Sequence, residues 1–184
     1  MKRNTSFLFI LAVAFISFTA CTGNSNNSPM KVNDLLTNAE SLVGEKVIVE
    51  GLATHVCSKS GMKLFLQGNA EDQSIRVESN STIGKFDPEA VDHNVRVVGK
   101  LVEERIDEAY CKQLEDEIKN NTLVSHGEGG EGCETEQIAE GVAVGSSEMD
   151  RVNDFRARIA ERKAKDGKEY ISFYHVAADS YTVL

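Results

Sequence analysis

The sequence predicts a mainly β domain with a helical insertion, in the α+β class. Three patterns along the 184 residues indicate this class. Apolar and polar residues alternate in four short segments between residues 46 and 102, which is the period of half-buried strands. The period then lengthens to that of amphipathic helices in two segments between 106 and 164. Alternation returns from residue 169, so a final strand is expected after the helices.

A short helix is the first predicted element. Apolar residues at helical spacing predict it over Val32–Leu42, because one face of a helix recurs every three to four residues. Asn33 and Asp34 are candidates for its N-terminal cap, and Gly44 marks its end.

The first long strand is predicted over Lys46–Val56. Gly51 interrupts its alternation, and a glycine inside a strand is typical of a bulge or a sharp bend. We expect Leu52 and Val56 to share one face beyond that point.

Three further strands follow before the period changes. They are predicted over Met62–Leu66, Ser74–Glu78 and Asn94–Val102. Before the last of them, Asp87 and Pro88 form the start signal of a helical turn, with the aspartate as N-cap and the proline at the first helical position.

The helical part and the final strand complete the predicted elements. Helices are predicted over Ile106–Ile118 and over Ser147–Ala164, and the serine that opens the second is its N-cap. The Gly-rich stretch Ser125–Glu134 is predicted to be a loop between them. Gly167 ends the second helix, and Glu169–Val176 is the last strand, which Tyr181, Thr182 and Val183 could prolong after a bend at 177–179.

The N-terminus has the pattern of a secretory signal. Lys2 and Arg3 precede an apolar run of about 12 residues, which is too short for a membrane span of roughly 20 residues. The run is followed by Ala20 and then Cys21. A small residue directly before a cysteine resembles the lipobox of bacterial lipoproteins, although Phe18 stands where the common pattern has leucine.

The lipobox resemblance implies how the chain is processed. Residues 1–20 would be removed as a signal peptide, and Cys21 would carry lipid such as palmitate. The polar stretch 21–30 would be a flexible tether, and 31–184 the folded domain. Because Thr22 is not the aspartate that retains many lipoproteins in the inner membrane, the resemblance implies the periplasmic face of the outer membrane. The alternative is an ordinary secretory signal that leaves Cys21 as a free thiol.

The charge of the mature chain is strongly negative. The full sequence has 20 basic and 29 acidic residues. Removal of Lys2 and Arg3 with the signal leaves 18 against 29, a net charge of −11. Proteins bind nucleic acid largely by neutralising phosphates, so this balance makes nucleic acid an unlikely partner.

The order of the strands resembles a known fold. The segments concerned are Lys46–Val56, Lys63–Leu66, Ile75–Val77 and Val95–Leu101. Their rhythm is similar to exported OB-fold proteins grouped with the anticodon-binding-like barrels, some of which are small lipoproteins of Bacteroidetes-type bacteria. The resemblance implies a five-stranded Greek-key barrel over 44–102 and 169–184. The two-helix insertion, about 103–168, would then lie between strands four and five.

Cysteine and histidine residues form one candidate site. His55 and Cys57 are two residues apart on a predicted strand, so their side chains share a face, and His126 and Cys133 lie in the Gly-rich loop. Two histidines and two cysteines are a suitable ligand set for zinc, although this spacing matches no standard zinc motif. A Cys57–Cys133 disulfide is the alternative in an oxidising compartment. Cys111 lies near a helical apolar stripe and is expected to be a buried hydrophobe.

The barrel surface forms a second candidate site. The expected contact face contains Lys63, Phe65 and Arg76 beside His55, together with the helical pair. On the last strand, alternation places Tyr170 and Tyr174 on one face and Ile171 and Phe173 on the other. The tyrosines could stack on a ligand, as in OB-folds, or pack against the insertion, which we favour. The other two are expected to be core residues.

These observations favour a non-enzymatic binding or adaptor module that is anchored to the envelope by lipid. No Gly-x-Ser-x-Gly elbow is present, and no spacing of serine, histidine and aspartate nominates a catalytic triad. The expected partner is an envelope protein or a small ligand, and no cofactor other than zinc is implied. The alternative function is metal or thiol handling by the histidine and cysteine residues.

Overall fold

The computed structural model describes residues 28–70, 73–122 and 134–184 of the chain. Within these ranges the elements follow each other in the order β1 (Met30–Lys31), α1 (Val32–Thr37), α2 (Ala39–Leu42), β2 (Lys46–Val56), β3 (Lys63–Gln67), β4 (Ser74–Glu78), a 3-10 helix (Pro88–Ala90), β5 (Asn94–Asp107), α3 (Glu108–Lys119), α4 (Glu134–Glu140), α5 (Glu148–Asp166) and β6 (Tyr170–Val183).

The strands form a closed barrel. They are hydrogen-bonded in the order β1-β2-β3-β4-β6-β5, and an additional pairing of β2 with β5 closes the sheet. Strands β4 and β6 run parallel, whereas β2–β3, β3–β4, β5–β6 and β2–β5 are antiparallel. Five strands therefore form the barrel, and β1 adds a short parallel strand beside β2. This confirms the predicted mixed α+β class and is consistent with an OB-like barrel.

Alternate residues of the barrel strands form the larger apolar core. Residues of α1 and of the 3-10 helix region, including Leu35 and Phe86, belong to the same cluster. Each fully buried Val, Leu or Phe side chain contributes about 1.5–3 kcal/mol through removal of apolar surface from water. The strand residues of this core are Val47, Val49, Ala53, Val56, Leu64, Leu66, Ile75, Val77, Val95, Val97, Leu101, Val176 and Ala178.

A register shift in β2 overturns the expectation that Leu52 and Val56 share a face. The pairing of β2 with β3 shifts between Ala53 and His55. Alternation with the buried Val49 and Ala53 leaves Leu52 on the outside, where it is 40% exposed, and the shift after Ala53 turns Val56 into the core. The register shift therefore does not lie at Gly51. At Gly51 the strand instead passes close to α1, because a Cβ there would lie 2.8 Å from Val32 Cγ2.

The N-terminal helix also differs from the prediction. It is divided into α1 and α2 at Asn38, and its cap position is Lys31, with no side-chain cap bond. Asn33 does not cap the helix; its side-chain oxygen accepts a hydrogen bond from the backbone N–H of Asn69 at 2.6 Å. Met30, the last residue of the stretch predicted as tether, belongs to strand β1.

The helices between β5 and β6 have a core of their own. Both α3 and α5 were predicted, and α5 has the expected start and end: Ser147 and Asp150 form a capping box, and Gly167 ends the helix at φ +70°. Helix α4 was not predicted. Residues 125–133 of the predicted loop lie outside the described residues. The core of these helices consists of Ile106, Cys111, Leu114, Val142, Val152, Phe155, Ile159 and Ile171.

Strand β5 continues beyond its predicted end at Val102. It extends to Asp107, whose carboxylate accepts a hydrogen bond from the N–H of Tyr110 and so caps α3. The extension pairs with the first part of β6, with Asp107 opposite Tyr170. The helix was predicted to start at Ile106 because this residue fits the apolar spacing of α3. Its side chain does pack in the helical core, although the residue lies on the strand. No helix of the described ranges is long and apolar enough to cross a membrane.

We expect Gly99→Ala to lower the free energy of unfolding by about 1–3 kcal/mol, the usual cost of overpacking. A Cβ at this position would overlap the carbonyl oxygen of Ala177 and lie 2.8 Å from Val176 Cγ1. Urea denaturation would measure the loss. The exposed neighbour Lys100→Ala is the control and should change stability by no more than about 0.5 kcal/mol. Similar losses in both variants would contradict the steric explanation.

Candidate binding face of the barrel

One outward surface of the barrel collects charged and polar side chains. Residues that alternate with Leu64, Ile75 and Val176 point away from the barrel core, because successive side chains of a strand lie on opposite faces. The pairing register places Phe65 opposite Arg76, and Arg76 beside His175. We call this surface the charged face, and its residues are Lys63, Phe65, Ser74, Arg76, Glu78 and His175.

A carboxylate from α4 binds the two cations of the charged face. Lys63 Nζ donates to Glu136 Oε1 at 2.6 Å, and Arg76 Nη1 donates to the same oxygen at 3.0 Å. Arg76 Nη2 donates to Glu104 Oε2 of β5 at 2.9 Å, and its Nε lies 3.0 Å from Glu78 Oε1. Arg76 therefore lies among three carboxylates from three different elements.

The charges of this cluster stabilise one another. Burial opposes ionisation of Glu136, but its hydrogen bond to Lys63 and the nearby guanidinium of Arg76 hold its pKa below the ordinary value. Burial likewise disfavours the charged form of Arg76, yet Glu78 and Glu104 outweigh it and raise its pKa. Both partners are therefore ionised at neutral pH, and the contact is a charge-assisted hydrogen bond.

Further polar contacts hold α4 against α5 and against the chain that follows α4. Arg151 of α5 donates from Nε and Nη2 to Glu140, at 2.7 and 2.5 Å. Gln137 bridges to the chain that follows α4: its side-chain oxygen accepts from the N–H of Gly145, and its amide donates to the carbonyl of Ser146. The carbonyl of Glu140 accepts from Arg158 Nη1 at 2.7 Å.

Three polar atoms of the charged face are buried without a hydrogen-bond partner in the described part of the chain. They are Ser74 Oγ, Arg76 Nε and His175 Nδ1. Arg76 Nε is close to Glu78 but poorly aligned with it, so this contact is an ion pair by distance alone. Burial lowers the pKa of His175, although the Glu78 carboxylate, 3.5 Å from Nε2, opposes this effect.

The structure brings together most of the predicted contact face and covers it. Lys63, Phe65 and Arg76 are neighbours, but Phe65 is only 1% exposed and is no open stacking platform. Tyr174 faces the other way: it packs against the barrel core, which overturns the expected packing against the insertion. The reason is that α3 and α5 cover the opposite face of β6, where Ile171 joins the helical core.

Two other aromatic residues of β6, Phe173 and Tyr170, both contact the insertion. Phe173 packs against the helical core, with its ring centroid 5.5 Å from that of Phe155. Tyr170 contacts the insertion as expected, because the guanidinium of Arg162 on α5 lies 5.1 Å from its ring centroid. The guanidinium of Arg105 lies 4.5 Å from the same ring. Cation–π contacts therefore occupy Tyr170.

The histidine and cysteine site stays a prediction. His126 and Cys133 lie outside the described residues, within which no group of three or more metal-ligating side chains occurs. Cys57 is buried and forms no disulfide within the described residues, which leaves the Cys57–Cys133 disulfide a prediction too, and the ring centroid of His55 lies 5.9 Å from that of Phe65. Burial raises the pKa of Cys57, but hydrogen bonds from Ser60 outweigh this effect and lower it overall. Cys111 is a buried free thiol in the helical core, as predicted.

The carboxylates that complete the cluster have no signal in the local sequence. Glu136 and Glu104 are far from Arg76 in the chain, and nothing local distinguishes them from the other acidic residues. Alternation around Val176 could have placed His175 on the outer face. Only the pairing of β4 with β6 brings it beside Arg76.

Comparison with known proteins adds no assignment. No family model matches the chain, and a search of curated proteins finds no significant match.

We expect Arg76→Met to lower the free energy of unfolding by roughly 3 kcal/mol, the lower end of the range for breaking a buried ion pair. The guanidinium is 15% exposed, and its removal leaves three carboxylates close together. Arg96→Met is the matched control, because this guanidinium is 45% exposed and pairs with Glu50. The control should lose no more than about 1 kcal/mol. Urea denaturation would measure the free energy of unfolding of both variants. Equal losses would show that the buried cluster stabilises the fold no more than a surface ion pair does.

Proposed function

We propose that this protein is a lipid-anchored, non-enzymatic binding module of the cell envelope, built on an OB-fold with a helical insertion. Cys21 carries the lipid, and the domain lies at the periplasmic face of the outer membrane. Its partner is an envelope protein or a small ligand, which it contacts through the charged face.

The observation that carries this proposal is the pair of cations on the charged face. Lys63 and Arg76 converge on one carboxylate oxygen at 2.6 and 3.0 Å. Converging donors on a strand-built surface recognise an anionic group by charge and geometry. Ser74 Oγ and His175 Nδ1 beside them are buried and have no hydrogen-bond partner among the residues that the structure describes, so a ligand could satisfy them. Together they supply recognition and need no reactive nucleophile.

The electrostatics of the cluster argue against a polyanionic partner. Glu78, Glu104 and Glu136 surround Arg76 within ion-pair distance. The mature chain has a net charge of −11 as well. Both facts disfavour nucleic acid, which binds through many phosphate contacts.

A second candidate function is thiol or metal handling at His55 and Cys57. The lowered pKa of the Cys57 thiol favours it, because the thiolate is the nucleophile and the metal ligand. A zinc-to-protein ratio near one that is lost in a His55→Ala/Cys57→Ser variant would distinguish this function from the first.

The lipid anchor makes a direct prediction. Wild-type protein should incorporate labelled palmitate, sediment with membranes and have a mature N-terminus at Cys21. A Cys21→Ala variant should lose the label and the membrane association almost completely, since several acyl chains supply the membrane affinity. Cys57→Ser is the control and should keep both. Label retained by Cys21→Ala would place the lipid elsewhere or exclude it.

The binding function predicts position-specific crosslinking in intact cells. A photoreactive side chain at Gln67, which is partly exposed at the end of β3, should give discrete adducts. The same group at Arg96 should give few, because Arg96 pairs with Glu50 of β2 and lies at the opposite end of β5 from Glu104. The adducts at Gln67 should fall at least fivefold when Lys63 is also changed to Met. Equal adduct patterns at both positions would contradict a binding role for this face.

A further inference from the structure

Helix α4 differs from its neighbours in what holds it in place. Its two buried residues, Gln137 and Glu140, are both polar. Helix α5 instead buries Val152, Phe155 and Ile159. Burial of apolar surface is the main stabilising term in packing, and α4 contributes little of it. Ion pairs and hydrogen bonds therefore hold α4 on the barrel, and such contacts can be exchanged for equivalent ones.

Glu136 binds the charged face in the way a ligand would. A single oxygen of its carboxylate accepts from Lys63 on β3 and from Arg76 on β4, which lie 73 and 60 residues away in the sequence. Both hydrogen bonds are made by the carboxylate group alone. A glutamate on another chain could make the same two hydrogen bonds.

The surface beside Lys63 and Arg76 has polar atoms that could form further hydrogen bonds. Ser74 Oγ and His175 Nδ1 flank Arg76, and neither has a partner in the described ranges. A buried polar group left without a partner is destabilising, so a ligand that pairs with it gains affinity. Glu136 satisfies the two cations and leaves these atoms unpaired.

The neighbouring carboxylates select the kind of anion. Glu78 and Glu104 remain beside Arg76 when Glu136 leaves, at 3.0 and 2.9 Å. These two carboxylates balance the charges of Lys63 and Arg76, so the site has no net positive charge that would favour a doubly charged phosphate over a single carboxylate. The occupant that fits is a peptide segment that presents one glutamate.

We propose that the charged face is a binding site for a glutamate-bearing peptide segment of a partner protein, and that α4 occupies it as an internal competitor. The partner's carboxylate takes the place of Glu136 between Lys63 and Arg76. This inference rests on the proposed binding function and adds to it the ligand class and a means of control. Only molecules in which α4 has left the site can bind the partner. The apparent affinity is therefore the intrinsic affinity multiplied by the fraction of such molecules.

The test uses the mature chain and a labelled peptide that copies residues 134–146. Removal of the internal competitor by Glu136→Gln should tighten peptide binding at least tenfold over wild type, measured by fluorescence anisotropy. Glu136→Ala should act in the same direction. Glu134→Gln is the matched control, because it removes an exposed carboxylate of the same helix and should leave the affinity at the wild-type level.

Two further arms establish where the peptide binds. A peptide with glutamine at the position of Glu136 should lose binding at least tenfold, and Lys63→Met in the Glu136→Gln background should do the same. Equal affinity in wild type and Glu136→Gln would overturn the competitor role. Displacement of the peptide by millimolar inorganic phosphate, or tighter binding of a single-stranded oligonucleotide, would overturn the carboxylate assignment.

The failure of this inference can be told apart from failure of the proposed function. Crosslinks at Gln67 that persist while the peptide fails to bind would overturn the inference alone. Loss of the Gln67 crosslinks would overturn the binding function itself, whatever the peptide does.

Discussion

The rest of the described structure depends on the pairing of β5 with β6. This ladder joins Asn94–Asp107 to Tyr170–Val183 along almost their whole length. One end forms part of the barrel wall, with Leu101 in the barrel core, and the other end leaves the barrel and places Ile106 in the helical core. Because paired strands satisfy each other's backbone groups, the ladder holds both cores in one continuous frame.

That frame determines what covers the charged face. Helices α3 and α5 pack on the β6 face that bears Ile171, and their polar neighbour α4 extends over β4. The insertion is thus attached by apolar packing at the ladder and by ion pairs at the barrel. Burial of charges such as Arg76 and Glu136 is weak evidence for added stability, because desolvation offsets most of the Coulombic gain. Its effect is specificity, since each charge has a particular partner.

The same division of forces gives the proposed binding role a physical basis. Apolar contacts keep α3 and α5 in place, while the contacts of α4 are of the kind that a ligand can replace. A surface that already binds a carboxylate at 2.6 and 3.0 Å needs no rearrangement of Lys63 and Arg76 to bind another. Preorganised donors of this kind reduce the cost of association.

Local residue patterns alone determined the barrel strands, the turn started by Asp87 and Pro88, and the limits of α5, because alternation, caps and stop signals act within a few residues. Tertiary structure decided the extension of β5 to Asp107, the direction of Tyr174 and the whole charged cluster. These features depend on which strands pair and which helix lies above them. A carboxylate such as Glu136 carries no local mark of the partner it will meet 60 residues away. Only the closed barrel and its insertion bring the two together.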